Sequence, residues 1–79
     1  MMQTLIAKSI IVEAIKLSAE WNNTAFVVLN KSGVPDVMVW QNFKYEDPKP
    51  EVIAYVNGND GFVLQNEDYV FEVDPEELI

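Results

Sequence analysis

Apolar residues in the first part of the chain recur with a helical period. Ile6, Ile10, Ala14, Leu17 and Trp21 fall at i, i+4, i+8, i+11 and i+15, while Ser9, Glu13, Lys16 and Glu20 occupy the opposite arc. This pattern predicts an amphipathic helix over about residues 3–21, one face buried and the other wetted. Glu13–Lys16 and Lys16–Glu20 are spaced to pair on the wet side. Asn22-Asn23 supplies a stop, because Asn tolerates the left-handed backbone at a helix end. The β-branched run Ile10-Ile11-Val12 favours strand locally, but the long helical period outweighs it.

Beyond Thr24 the period changes to two. Ala25–Leu29 predicts a short apolar strand, Asn30-Lys31-Ser32-Gly33 a hairpin turn, and Asp36–Phe43 the return strand. Pro48 and Pro50 stop any continuation, since each lacks an N–H and restricts its neighbour. Val52–Val56 and Phe62–Gln65 flank a second hairpin loop, Asn57–Gly61, and Tyr69–Val73 predicts the last strand. Asp74-Pro75-Glu76-Glu77 has the order of a helix start, with too little chain after it for more than one turn. The expected fold is therefore α+β: one N-terminal amphipathic helix on an antiparallel sheet of four or five strands built from hairpins. The sheet spans about residues 24–73, and residues 74–79 form an acidic tail.

Length adds that this is a single domain with a small core, since a chain of 79 residues buries roughly 60–65% of its unfolded surface. The hydrophobic fraction of 49% argues against disorder. No membrane-length apolar run and no secretory leader is seen, and the chain has no cysteine, so a cytoplasmic location is expected.

Charge is unevenly placed. Residues 1–45 hold four lysines and three acids, and residues 46–79 hold one lysine and ten acids, so the two parts carry +1 and −9 and sum to −8. With no His, Cys or Arg, a Ser–His or Cys–His nucleophile, a thiolate metal site and a bidentate anion fork are all excluded. Ser9 and Lys16 share a helix face but lie about two turns apart, roughly 10.5 Å. Asn57–Gly61 with Glu67 has the spacing of a calcium loop, but its first and third positions would be Val56 and Gly58, which offer no side-chain oxygen. The expectation is a protein without catalytic activity, cofactor or metal.

What remains is a surface. On the last predicted strand Asp68, Val70, Glu72 and Asp74 point one way, with same-face carboxylates roughly 6.8 Å apart, and Glu76 and Glu77 extend the row. Such a line imitates the phosphates of a nucleic-acid backbone; a charged edge that blocks sheet-to-sheet pairing is the plain alternative. In an extended segment 37–45, Val37, Val39, Phe43 and Tyr45 share one face, while Met38 and Trp40 share the other with Asn42 and Lys44. Met38 and Trp40 are thus either a cover for the end of the core or a partner-binding patch. The candidate partner-binding residues are Glu72, Asp74, Glu76, Glu77, Trp40 and Met38.

The leading expectation is a non-enzymatic protein-interaction module. Its partner would be a protein with a basic surface, with no direct nucleic-acid binding and no membrane contact. In size, acidity and lack of His and Cys the chain resembles phage-encoded inhibitors of host nucleic-acid enzymes. A small-ligand-binding or sequestering homo-oligomer and a structural or assembly subunit are the alternatives. For the former, Glu13-Ala14-Ile15, Trp21-Asn22 and Asp68–Val73 resemble phage proteins that sequester signalling nucleotides. Their basic, glycine-rich segment after the helix is missing here.

Overall fold

A computed structural model of the chain describes residues 4–58 and 60–71. Its elements are β1 (Thr4–Ile6), α1 (Lys8–Trp21), β2 (Ala25–Leu29), β3 (Pro35–Val39), α2 (Trp40–Tyr45), β4 (Glu51–Asn57), β5 (Gly61–Leu64) and β6 (Tyr69–Phe71). Four strands form an antiparallel sheet in the order β3-β2-β4-β5, and β1 pairs with β6 in a separate parallel ribbon. The architecture is α+β.

Helix α1 lies against β2, β3 and β4. Ala14 is fully buried there, and Ile10, Ile11 and Leu17 pack on the same core. At its end Asn22 adopts the left-handed conformation (φ 49°, ψ 48°), and the Asn22 and Asn23 N–H groups return to Ala19 and Ser18 carbonyls. Those bonds satisfy carbonyls that the terminated helix would otherwise leave open. Ser18, buried at the same end, donates its hydroxyl to the Asn23 carbonyl at 2.8 Å.

The first hairpin closes as its sequence predicts. Asn30 Oδ1 accepts from the N–H groups of Ser32 and Val34, and Gly33 takes φ 76°. Pro35 sits in the edge strand β3, where its missing donor is tolerated.

A bulge in β4 determines how the sheet divides its side chains. Val27 of β2 faces Ala54, but the next residue, Val28, faces Val52, which leaves Ile53 as the extra residue. Ile53 and Ala54 both turn inward and are both fully buried. They join Ile6, Ala25, Val27, Val39 and Val56 in the core beneath α1. Phe26 and Val28 of β2, Met38 of β3, and Val52 and Tyr55 of β4 consequently share the outer face.

Three sequence expectations are corrected. The helix begins at Lys8, because Thr4–Ile6 is a strand paired with Tyr69–Phe71 from the far end of the chain. Ile6 still reaches the core, but from β1 and not from the helix. The return strand of the first hairpin ends at Val39, and Trp40–Tyr45 is helical. In that helix Trp40 and Phe43, three apart, come to the same side and both meet Phe26. The extended reading had put them on opposite faces and had placed Tyr45 with Val37, Val39 and Phe43, whereas Tyr45 is the most exposed large apolar side chain among the described residues. Trp21, expected in the core, is 53% exposed. Helical period fixes its azimuth but does not say whether anything lies beneath the last residue of a helix.

Among the described residues no helix is long and apolar enough to cross a membrane. The predicted helix start at Asp74–Glu77 and the end of the last predicted strand lie outside the described residues.

Candidate protein-interaction surface

The outer face of the sheet carries an aromatic layer that α2 and the segment after it partly cover. Phe43 stacks on Phe26 with ring centroids 5.0 Å apart and planes 25° from parallel. Trp40 stacks on Phe43 at 6.0 Å and 23°, and it meets Phe26 at 5.9 Å and 45°. The Trp40 backbone N–H also bonds to the Thr24 carbonyl at 3.0 Å, which ties the start of α2 to the entry of β2. Trp40 is therefore held from two directions and is still 44% exposed.

Lys49 secures the other end of α2. Its Nζ donates to the Phe43 carbonyl at 2.8 Å and to the Lys44 carbonyl, and it lies 5.5 Å from the Phe43 ring centroid. A cation at a helix C-terminus satisfies open carbonyls and opposes the negative end of the dipole. The Pro-containing segment, with a cis Asp47–Pro48 bond, thus returns to brace the helix that precedes it.

This strap leaves two depressions on the outer face. One, about 420 Å³, has Phe26, Trp40, Phe43 and Tyr55 for its rings, with Val52, and Thr24, Asn57 and Gln65 at its border. No charged side chain lines it. The other, about 330 Å³, contains Met38, Val28 and Pro48 together with Asp36, Glu46, Asp47, Lys31 and Lys49. Met38 and Trp40, paired in the sequence reading, therefore belong to different depressions.

Glu72, Asp74, Glu76 and Glu77 lie outside the described residues. The described residues carry nine carboxylates against five lysines, so those four hold half of the net charge of −8. Asp68 immediately precedes β6 and is exposed. The Tyr69 phenol pKa is raised, first by loss of water around it and then by the nearby carboxylates of Glu51 and Asp68.

A third concavity, about 560 Å³, lies on the helix side between the end of α1 and the β4–β5 hairpin. Ile15, Val56 and Phe62 supply its apolar wall, and Ser18, Asn22, Asn23 and Asn57 its polar one. Among the described residues no group of three or more carboxylates could hold a metal ion.

Sequence reasoning missed Phe26, Phe43 and Tyr55 as members of the surface. Their signal was present: Trp40 and Phe43 have i, i+3 spacing, and Phe26 alternates out of a strand whose neighbours Ala25 and Val27 are core. No family model, no curated protein and no solved structure matches the chain.

Proposed function

We propose that the chain is a non-enzymatic cytoplasmic interaction module that docks an acidic surface, anchored by Trp40, on a basic, nucleic-acid-binding site of a partner protein. Its action is that of a phage-type inhibitor: it occupies the site by shape and charge. The observation that carries this reading is the state of Trp40, fixed by two ring contacts and a backbone bond while 44% of it remains exposed. A large aromatic side chain held in place before binding loses little freedom on docking, the property of an interface anchor. The charge of −8 supplies attraction toward a basic partner and speeds encounter.

The test is capture by the tagged chain from host-cell lysate, eluted in steps of rising salt. Two variants run beside it: Trp40→Ala, and the quadruple change of Glu72, Asp74, Glu76 and Glu77 to Gln. A nucleic-acid-binding protein released at moderate salt and lost from both variants is the expected result. Capture at unchanged affinity by the quadruple variant would remove the electrostatic mechanism.

The concavity beside α1 favours a second reading, a small-ligand-binding or sequestering oligomer. Its volume of about 560 Å³ lies in the range of ligand sites, and its wall mixes apolar side chains with amides. Its lining is uncharged, so the matching ligand is neutral. A rise in melting temperature with a neutral small molecule, without any protein captured, selects this reading.

A further inference from the structure

The uncharged depression beside Trp40 combines a floor of rings with hydrogen-bonding groups around it. Trp40 Nε1, Tyr55 Oη, Thr24 Oγ1 and the Gln65 amide bond to no protein group among the described residues. Trp40 Nε1 can only donate, and the other three can donate as well as accept. Phe26 and Trp40 lie 25° and 23° from parallel to Phe43 and 45° from each other, a clustered aromatic floor. Stacked nucleobases would also suit a ring platform. Single-stranded nucleic acid, however, needs a positive groove for its backbone, and this domain carries −8.

A complementary ligand is apolar, presents carbonyl acceptors to the indole N–H and the hydroxyls, and is neutral or basic. A proline-rich segment in the polyproline II conformation has these properties. Its rings pack on aromatic side chains, its carbonyls project with no internal bonds, and its backbone is ordered before it binds. The second depression of the same face holds three carboxylates, Asp36, Glu46 and Asp47, against Lys31 and Lys49, and with the net charge of −8 this favours basic residues flanking such a segment.

We infer that the trough beside Trp40 docks a proline-rich peptide segment flanked by lysine or arginine. Proline rings lie against Trp40 and Tyr55, and the carbonyls between them accept from Trp40 Nε1 and Tyr55 Oη. The inference rests on the role of Trp40 proposed above and names the kind of segment that a partner would place there.

The probe is a decaproline peptide ending in Lys-Lys, compared with a Gly-Ser peptide of equal length and charge. Trp21→Phe leaves Trp40 as the only indole, so its fluorescence reports occupancy. The decaproline peptide should bind at least about tenfold more tightly than the control, equivalent to about 1.4 kcal/mol. Trp40→Phe keeps a ring but removes the donor and should weaken binding severalfold by calorimetry, as should Tyr55→Phe; both changes preserve packing. Equal binding of the two peptides, or unchanged affinity in both conservative variants, overturns the inference. A silent decaproline peptide beside a partner still captured through Trp40 removes this inference alone. Decaproline binding together with capture that survives the carboxylate changes removes the electrostatic reading alone.

Discussion

Truncation of Ile53 to Ala should be one of the most damaging single changes in this protein, and truncation of its neighbour Val52 among the milder ones. Plain alternation along β4 would place residue 53 with Tyr55 on the outer face. The bulge reverses this: Ile53 is fully buried, Val52 is half-buried on the outer face, and Tyr55 is freed to join the aromatic platform. Ile→Ala removes three carbons, about 2.4 kcal/mol of transfer free energy at about 0.8 per methylene. The cavity left behind brings the expected loss to about 3–4 kcal/mol. Val52→Ala removes two carbons from a half-exposed site and should cost about 1 kcal/mol or less. A domain of this size has roughly 4–12 kcal/mol in all, so the first change removes a large share. Urea titration followed by far-ultraviolet circular dichroism measures both, and each kcal/mol corresponds to about 4–8 °C in Tm. Equal losses within about 0.5 kcal/mol, or a larger loss at Val52, would show that β4 has no bulge there and that Tyr55 is misplaced with it.

Two further outcomes test separate features. Gly33→Ala should destabilise by about 1–2 kcal/mol in the same titration, because φ 76° forces a Cβ into the left-handed region although the space around it is open; Gly58→Ala, without a positive φ, should be close to neutral. Tyr69 has a folded pKa above its unfolded value, so its neutral form contributes stability in full below about pH 10, and that contribution is lost as pH rises through the folded pKa. Absorbance near 295 nm should show one tyrosine ionising late, and Tyr69→Phe should remove both that step and the associated loss of stability in base.

Local pattern in the sequence determined the elements whose causes are local. The 3.6 period of Ile10, Ala14 and Leu17 placed α1 and its buried side, and Asn22 marked its end. Asn30 to Gly33 specified a turn whose bonds are all within a few residues. The uneven charge, too, is a property of composition alone.

Tertiary structure decided the rest, because the deciding contacts join residues far apart in the chain. Thr4–Ile6 has weak preferences and becomes a strand only by pairing with Tyr69–Phe71. Local pattern carries the strand from Asp36 on to Phe43, but Phe26 behind Trp40–Tyr45 and Lys49 beyond it stabilise a helix there. The bulge at Ile53 arises in the match between two strands and leaves no mark in either one alone. Trp40 was recognisable as a candidate anchor from its type and its place in the pattern. The rings that hold it, and its separation from Met38, follow from long-range packing that a one-dimensional period cannot encode.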